Sequence, residues 1–138
     1  MRGRSPLVAL AVTCALASGA SAQTAPQEAI DAAADAHAVF QKKGGLAAVK
    51  KGISECWENA AKQASFKAAV YCSAYNFTAA NFDAGFMKLL NAKPSLSMAD
   101  ANRQSKAALI RAGVPSVQVP ALMDDIRERV ISATNQRF

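Results

Sequence analysis

A chain of 138 residues, 51% of them apolar, is long enough to bury the core of one domain. Its net charge of +6 is too mild to argue by itself for nucleic acid. One histidine and three cysteines leave little material for a metal centre or for nucleophile–histidine catalysis.

The N-terminus reads as an export signal. Arg2 and Arg4 give a basic start, and the apolar run from Leu7 to Ala17 is too short to span a membrane comfortably. Ala20-Ser21-Ala22 supplies the small residues that a signal peptidase accepts. A lipoprotein reading would place the lipid on Cys14, which the branched Thr13 before it fits poorly. Cleavage after Ala22 leaves a domain over 23–138 of 116 residues. Its net charge is +4, because the two arginines leave with the signal. No later stretch is a transmembrane candidate. The most apolar one, Ala68 to Leu90, is interrupted by Asn76, Asn81, Asp83 and Lys88.

The remaining chain reads as helices, since no run alternates convincingly between apolar and polar residues. The first helix is expected from Pro26 to Lys43, with Ile30, Ala33, Ala34, His37 and Phe40 on one face. Gly44-Gly45 ends it. The second runs from Leu46 to about Gln63, with Leu46, Val49, Ile53, Cys56, Trp57 and Ala60 as its apolar stripe. Ser65 caps a third helix to about Leu90, apolar on most sides and hence central. A fourth follows from Met98 to Ala112, opened by Ser97 and closed by Gly113. Val114 to Pro120 is an apolar linker expected to lie across the bundle. A fifth helix runs from Pro120 to Ala133, with Leu122, Met123, Ile126 and Val130 inward. The fold expected is all-α, a single-domain bundle of four to five helices.

Cys56 and Cys72 lie eight residues either side of Ala64, where the second and third helices meet. Antiparallel helices joined there bring the two side by side, which predicts a disulfide-stapled helical hairpin. A redox pair would be spaced more closely, and a metal site would find only His37 as a further soft ligand. No metal and no cofactor are therefore expected. An oxidised pair and an export signal together point to a periplasmic or secreted protein.

Chemistry is sparse. His37 is expected to pack rather than to catalyse. Asp83 and Glu55 are the carboxylates from which a cell-wall hydrolase would have to be built. The sequon Asn76-Phe77-Thr78 falls inside a helix. Lys42, Lys43, Lys50 and Lys51 gather around Gly44-Gly45 with no acid between Asp35 and Glu55, an anion-binding corner if not merely a solvated turn. Trp57, Tyr71, Tyr75, Phe82 and Phe86 all lie on the stapled hairpin and form the candidate binding surface. By elimination the chain reads as a binding protein rather than an enzyme. It would act through a protein partner in the cell envelope, as an inhibitor, immunity or stress factor. The alternatives are a carrier of a small lipophilic ligand and, behind it, the hydrolase.

Overall fold

The computed structural model describes residues 23–137. The signal expected over 1–22, with Cys14, lies outside them. Four α-helices and no strand occur among the described residues: α1 (Gln27–Gln63), α2 (Phe66–Leu89), α3 (Met98–Arg111) and α4 (Val119–Asn135).

Helix α1 takes in both of the first two expected helices. It leaves helical geometry inside at Gly45, where φ is 60° and ψ −148°. Only glycine adopts that backbone cheaply. The chain reverses there. Glu28 pairs with Lys67 at 2.6 Å, while Cys56 is bonded to Cys72, five residues further along α2. A straight helix would hold Glu28 and Cys56 roughly 40 Å apart at 1.5 Å per residue. The first arm of α1 (27–44) therefore runs parallel to α2, from Glu28 beside Lys67 to His37 beside Phe82. The second arm (46–63) runs antiparallel, with Gly52 against Tyr75 and Cys56 against Cys72.

The caps explain why the elements stop where they do. Ala64 ends α1 in the left-handed region at φ 47°. Ser65 Oγ then accepts the Ala68 N–H at 3.0 Å, and Ser97 Oγ accepts the Asp100 N–H at 3.2 Å. Helices α2 and α3 both close in the paired-bond Schellman motif. For α2, Ala92 N–H reaches Met87 O and Asn91 N–H reaches Lys88 O, with Asn91 at φ 51°. For α3, Val114 N–H reaches Leu109 O and Gly113 N–H reaches Ile110 O, with Gly113 at φ 93°. Val114 and Leu109 are both buried, so the turn also tucks the linker onto the core. Val119 at the far end of that linker is buried as well, whereas Val117 stands out into solvent.

Helix α2 is central. Eleven of the twelve positions from Ala69 to Ala80 are buried, Tyr71 being the exception. It contacts both arms of α1 and also α3 and α4. Helix α3 returns antiparallel to α2, with the Asn76 amide donating to Gln104 at 2.8 Å near its middle. Helix α4 lies along the first arm of α1, where Arg129 bonds Gln27 and Arg137 bonds Asp35. It packs Val119, Leu122, Ile126 and Val130 inward, and Arg127 covers the ring of Phe77 at 5.5 Å. The five segments thus alternate in direction, with four reversals, which brings the Gly45 turn, the end of α2 and the start of α3 to one end of the bundle.

Candidate functional site

The disulfide joins the second arm of α1 to α2 with the two Cα atoms 5.7 Å apart, inside the range a bridge allows. It forms one wall of an open groove of about 310 Å³. Phe40, Tyr71, Glu55, Asn59 and Gln63 complete this groove. Its floor is Tyr75, whose hydroxyl presses on Gly52. A Cβ at Gly52 would lie 2.5 Å from Tyr75 Oη, so this glycine is a notch cut for the phenol.

The aromatics expected on the surface fold mostly inward. Tyr75 is only 2% exposed and belongs to the core, so it meets the surface only as the floor of the groove. Trp57, Tyr71 and Phe82 are half-buried, and Phe86 alone stands out at 52% exposed. The cause is the reversal at Gly45. The first arm of α1 lies over the hairpin and packs His37 and Phe40 edge-on against Tyr75 at 6.2 and 6.1 Å. Burial pushes the Tyr75 phenol up to about 12, with the neighbouring Tyr71 and Glu55 adding to the shift. Burial raises Tyr71 too and lowers His37.

A second concavity lies at the Gly45 end. It encloses about 210 Å³ between the two arms of α1 and the last turns of α2. Leu46, Val49, Ala79, Phe82, Met87 and Leu96 supply most of the wall. Two polar side chains share it. His37 is 1% exposed and its Nδ1 finds no partner. Asp83 is buried, and its Oδ2 accepts the N–H groups of Ser95 and Leu96 at 2.6 and 2.8 Å. That carboxylate therefore clamps the loop after α2 onto the helix and closes the cavity from one side. Glu55 lies instead in the disulfide groove, paired with Lys51 at 3.7 Å, so the two carboxylates named for hydrolysis are not brought together. Among the described residues no three His, Cys, Asp or Glu side chains converge as a metal site would require.

Lys42, Lys43, Lys50 and Lys51 are all exposed around the turn, and among the described residues only Lys51 has an ion pair. Asn76, the sequon asparagine, is buried and bonded to Gln104. Leu46 and Val49 were legible in the sequence only as stripe residues, and Met87 and Leu96 carried no signal there. Nothing in their spacing shows that they enclose a space. Among the described residues no helix is long and apolar enough to cross a membrane. No protein family, no curated protein and no solved structure matches this chain.

Proposed function

We propose that this chain is an exported, non-catalytic binding protein that takes up a small lipophilic ligand at the Gly45 end of its bundle. The observation that carries the reading is the cavity of about 210 Å³, apolar on most sides and continuous with the exposed Phe86. Its walls come from three segments held rigid by the disulfide and by the Asp83 clamp. The engagement of Asp83 with two backbone N–H groups supports binding over catalysis. Export is supported by the disulfide, which persists in an oxidising compartment. It is supported also by the character of residues 1–22. N-terminal sequencing of the protein from its own host is expected to begin at Gln23.

The test is native mass spectrometry of the protein from that host, beside titration with decanol. A bound lipophilic mass and saturable decanol binding are expected, both reduced by Leu46→Trp, which fills the cavity from a half-buried position. A bare mass with no decanol binding would reject the carrier reading.

A protein partner is the second reading, favoured by the contiguous exposed side chains Phe86, Leu89 and Leu90. Crosslinking in the envelope is then expected to trap one partner, lost with Leu89→Glu and Leu90→Glu together. Trapping that survives both substitutions would refute it.

A further inference from the structure

The polar part of the cavity wall carries more chemical information than its apolar part. Of the side chains that line it, Asp83 is the one that bears a charge. It is 6% exposed, and among the described residues it has no ion pair. The two loop N–H groups that it holds both reach Oδ2. A carboxylate offers about four lone-pair positions, and Oδ1 takes no hydrogen bond among the described residues. Buried charges are as a rule paired or fully hydrogen-bonded, so this one is left half satisfied beside an apolar space. His37 lines the same space at 1% exposed, and neither of its ring nitrogens has a partner among the described residues. Burial lowers its pKa, so the ring is neutral at pH 7 and keeps one accepting nitrogen. The side-chain amide of Gln41 adds a third acceptor to the lining. Among the described residues no lysine or arginine lines the cavity. Lys42, Lys43, Lys88 and Lys93 at this end are exposed, where water and salt screen them over about 8–10 Å. The Asp83 carboxylate acts at short range and low dielectric, and it sets the balance inside.

We propose that the ligand is a small lipophilic primary amine, bound as its ammonium. The ammonium donates to Asp83 Oδ1 and to the accepting nitrogen of His37, and the alkyl chain lies against Leu46, Val49, Phe82 and Met87. This rests on the carrier reading above and adds the chemical class of the ligand. An ammonium has three donors and no acceptor, the complement of a lining that offers a carboxylate oxygen, an imidazole nitrogen and an amide oxygen. An alcohol brings one donor and no charge, and a carboxylate brings a charge of the wrong sign. The enclosed volume sets the size. A cavity of about 150 Å³ holds the six carbons of benzene, so about 210 Å³ takes roughly eight non-hydrogen atoms, head group included.

Hexylamine, hexanol and hexanoate have equal chain lengths within that size and are compared by calorimetric titration at pH 7, where the amine is charged. Hexylamine is expected to bind about tenfold more tightly than hexanol, with hexanoate weakest. Asp83→Asn keeps an acceptor for the loop N–H groups and removes the charge. It is expected to bring hexylamine down to the hexanol level while hexanol stays within about twofold, and circular dichroism checks that the variant keeps its fold. The unaltered chain supplies a second readout. His37 is its one histidine, so in protein without a histidine tag the ring nitrogen resonances are expected to shift with hexylamine and to stay unmoved with hexanoate. Equal binding of amine and alcohol, or an amine preference that survives Asp83→Asn, leaves the cavity a binding site and overturns the ammonium class. Amine binding that leaves the His37 resonances unmoved puts the amine elsewhere and overturns the site. If hexylamine does not bind, the proposal falls even where decanol binds, and decanol alone then decides the carrier reading.

Discussion

Gly52 is the position at which the packing can be tested most sharply. Glycine in the interior of a helix costs about 1 kcal/mol against alanine, so Gly52→Ala on helix propensity alone should stabilise the protein by about that amount. The new Cβ, however, would sit 2.5 Å from Tyr75 Oη and 3.1 Å from Cζ. Tyr75 is held by Phe40, His37 and Tyr71 around its ring and cannot swing away without disturbing them. Overpacking of this kind costs about 1–3 kcal/mol. The net expectation is a loss of about 1 kcal/mol. Tyr75→Phe removes the closest atom. Because Oη is buried with no hydrogen-bond partner, that substitution alone should be neutral or slightly stabilising. In its presence Gly52→Ala should become neutral or favourable, giving a coupling of about 1–3 kcal/mol between the two sites. Urea unfolding of the four proteins, followed by circular dichroism without reductant, measures it. Equal gains from Gly52→Ala in the presence and absence of Tyr75→Phe would show that the phenol does not occupy the notch.

Asp83→Ala strips the acceptor from the Ser95 and Leu96 N–H groups and should cost about 2–3 kcal/mol, with Asp83→Asn milder; thermal unfolding that ranks them otherwise contradicts the clamp. Replacing both Cys56 and Cys72 by alanine opens a link across 16 residues and should cost about 3 kcal/mol in the chemical unfolding free energy. Tyr75 keeps its proton to about pH 12 in the fold, whereas the unfolded phenol loses it near 10. Stability should therefore fall as pH rises from 10 towards 12, by up to about 1.4 kcal/mol per unit, and Tyr75→Phe should flatten that limb. His37 is shifted the other way. Its folded pKa lies below 6.5, so the unfolded chain takes up the proton first, and stability declines as pH drops below 6.5 in a limb that His37→Gln removes.

Much of the fold was legible in local chemistry. Ser65 and Ser97 cap the helices as their positions suggest, and Gly113 takes the left-handed turn after α3. The cysteine spacing about Ala64 foretold the staple, because two helices of equal reach from one turn meet at equal distances. What local chemistry did not reveal is the side of α2 on which the first arm of α1 settles. The direction of the chain after Gly44-Gly45 depends on a ψ of −148° at Gly45, which no periodicity encodes. That direction decides that Tyr75 is core and Phe86 is not. Gly52 reads in the sequence as a weak helix residue, and its purpose exists only once Tyr75 is opposite it. Asp83 looked like a stray acid on an apolar helix. Its partners are backbone N–H groups 12 and 13 residues away, and backbone donors leave no trace in side-chain patterns.

The alternating order of the segments has a kinetic consequence. Each segment up to α3 packs on its chain neighbour, and only the closure of α4 onto the first arm of α1 joins residues about a hundred positions apart. Bundles so dominated by local contacts fold in microseconds to milliseconds, whereas thiol oxidation takes seconds or longer. Cys56 and Cys72 should therefore meet in a hairpin that has already formed. The bond would lock in a native pairing rather than guide the search for it, and refolding from the reduced state should proceed at nearly the oxidised rate. The covalent link then acts chiefly on how rarely the hairpin opens, which is the property a cavity walled by that hairpin depends on.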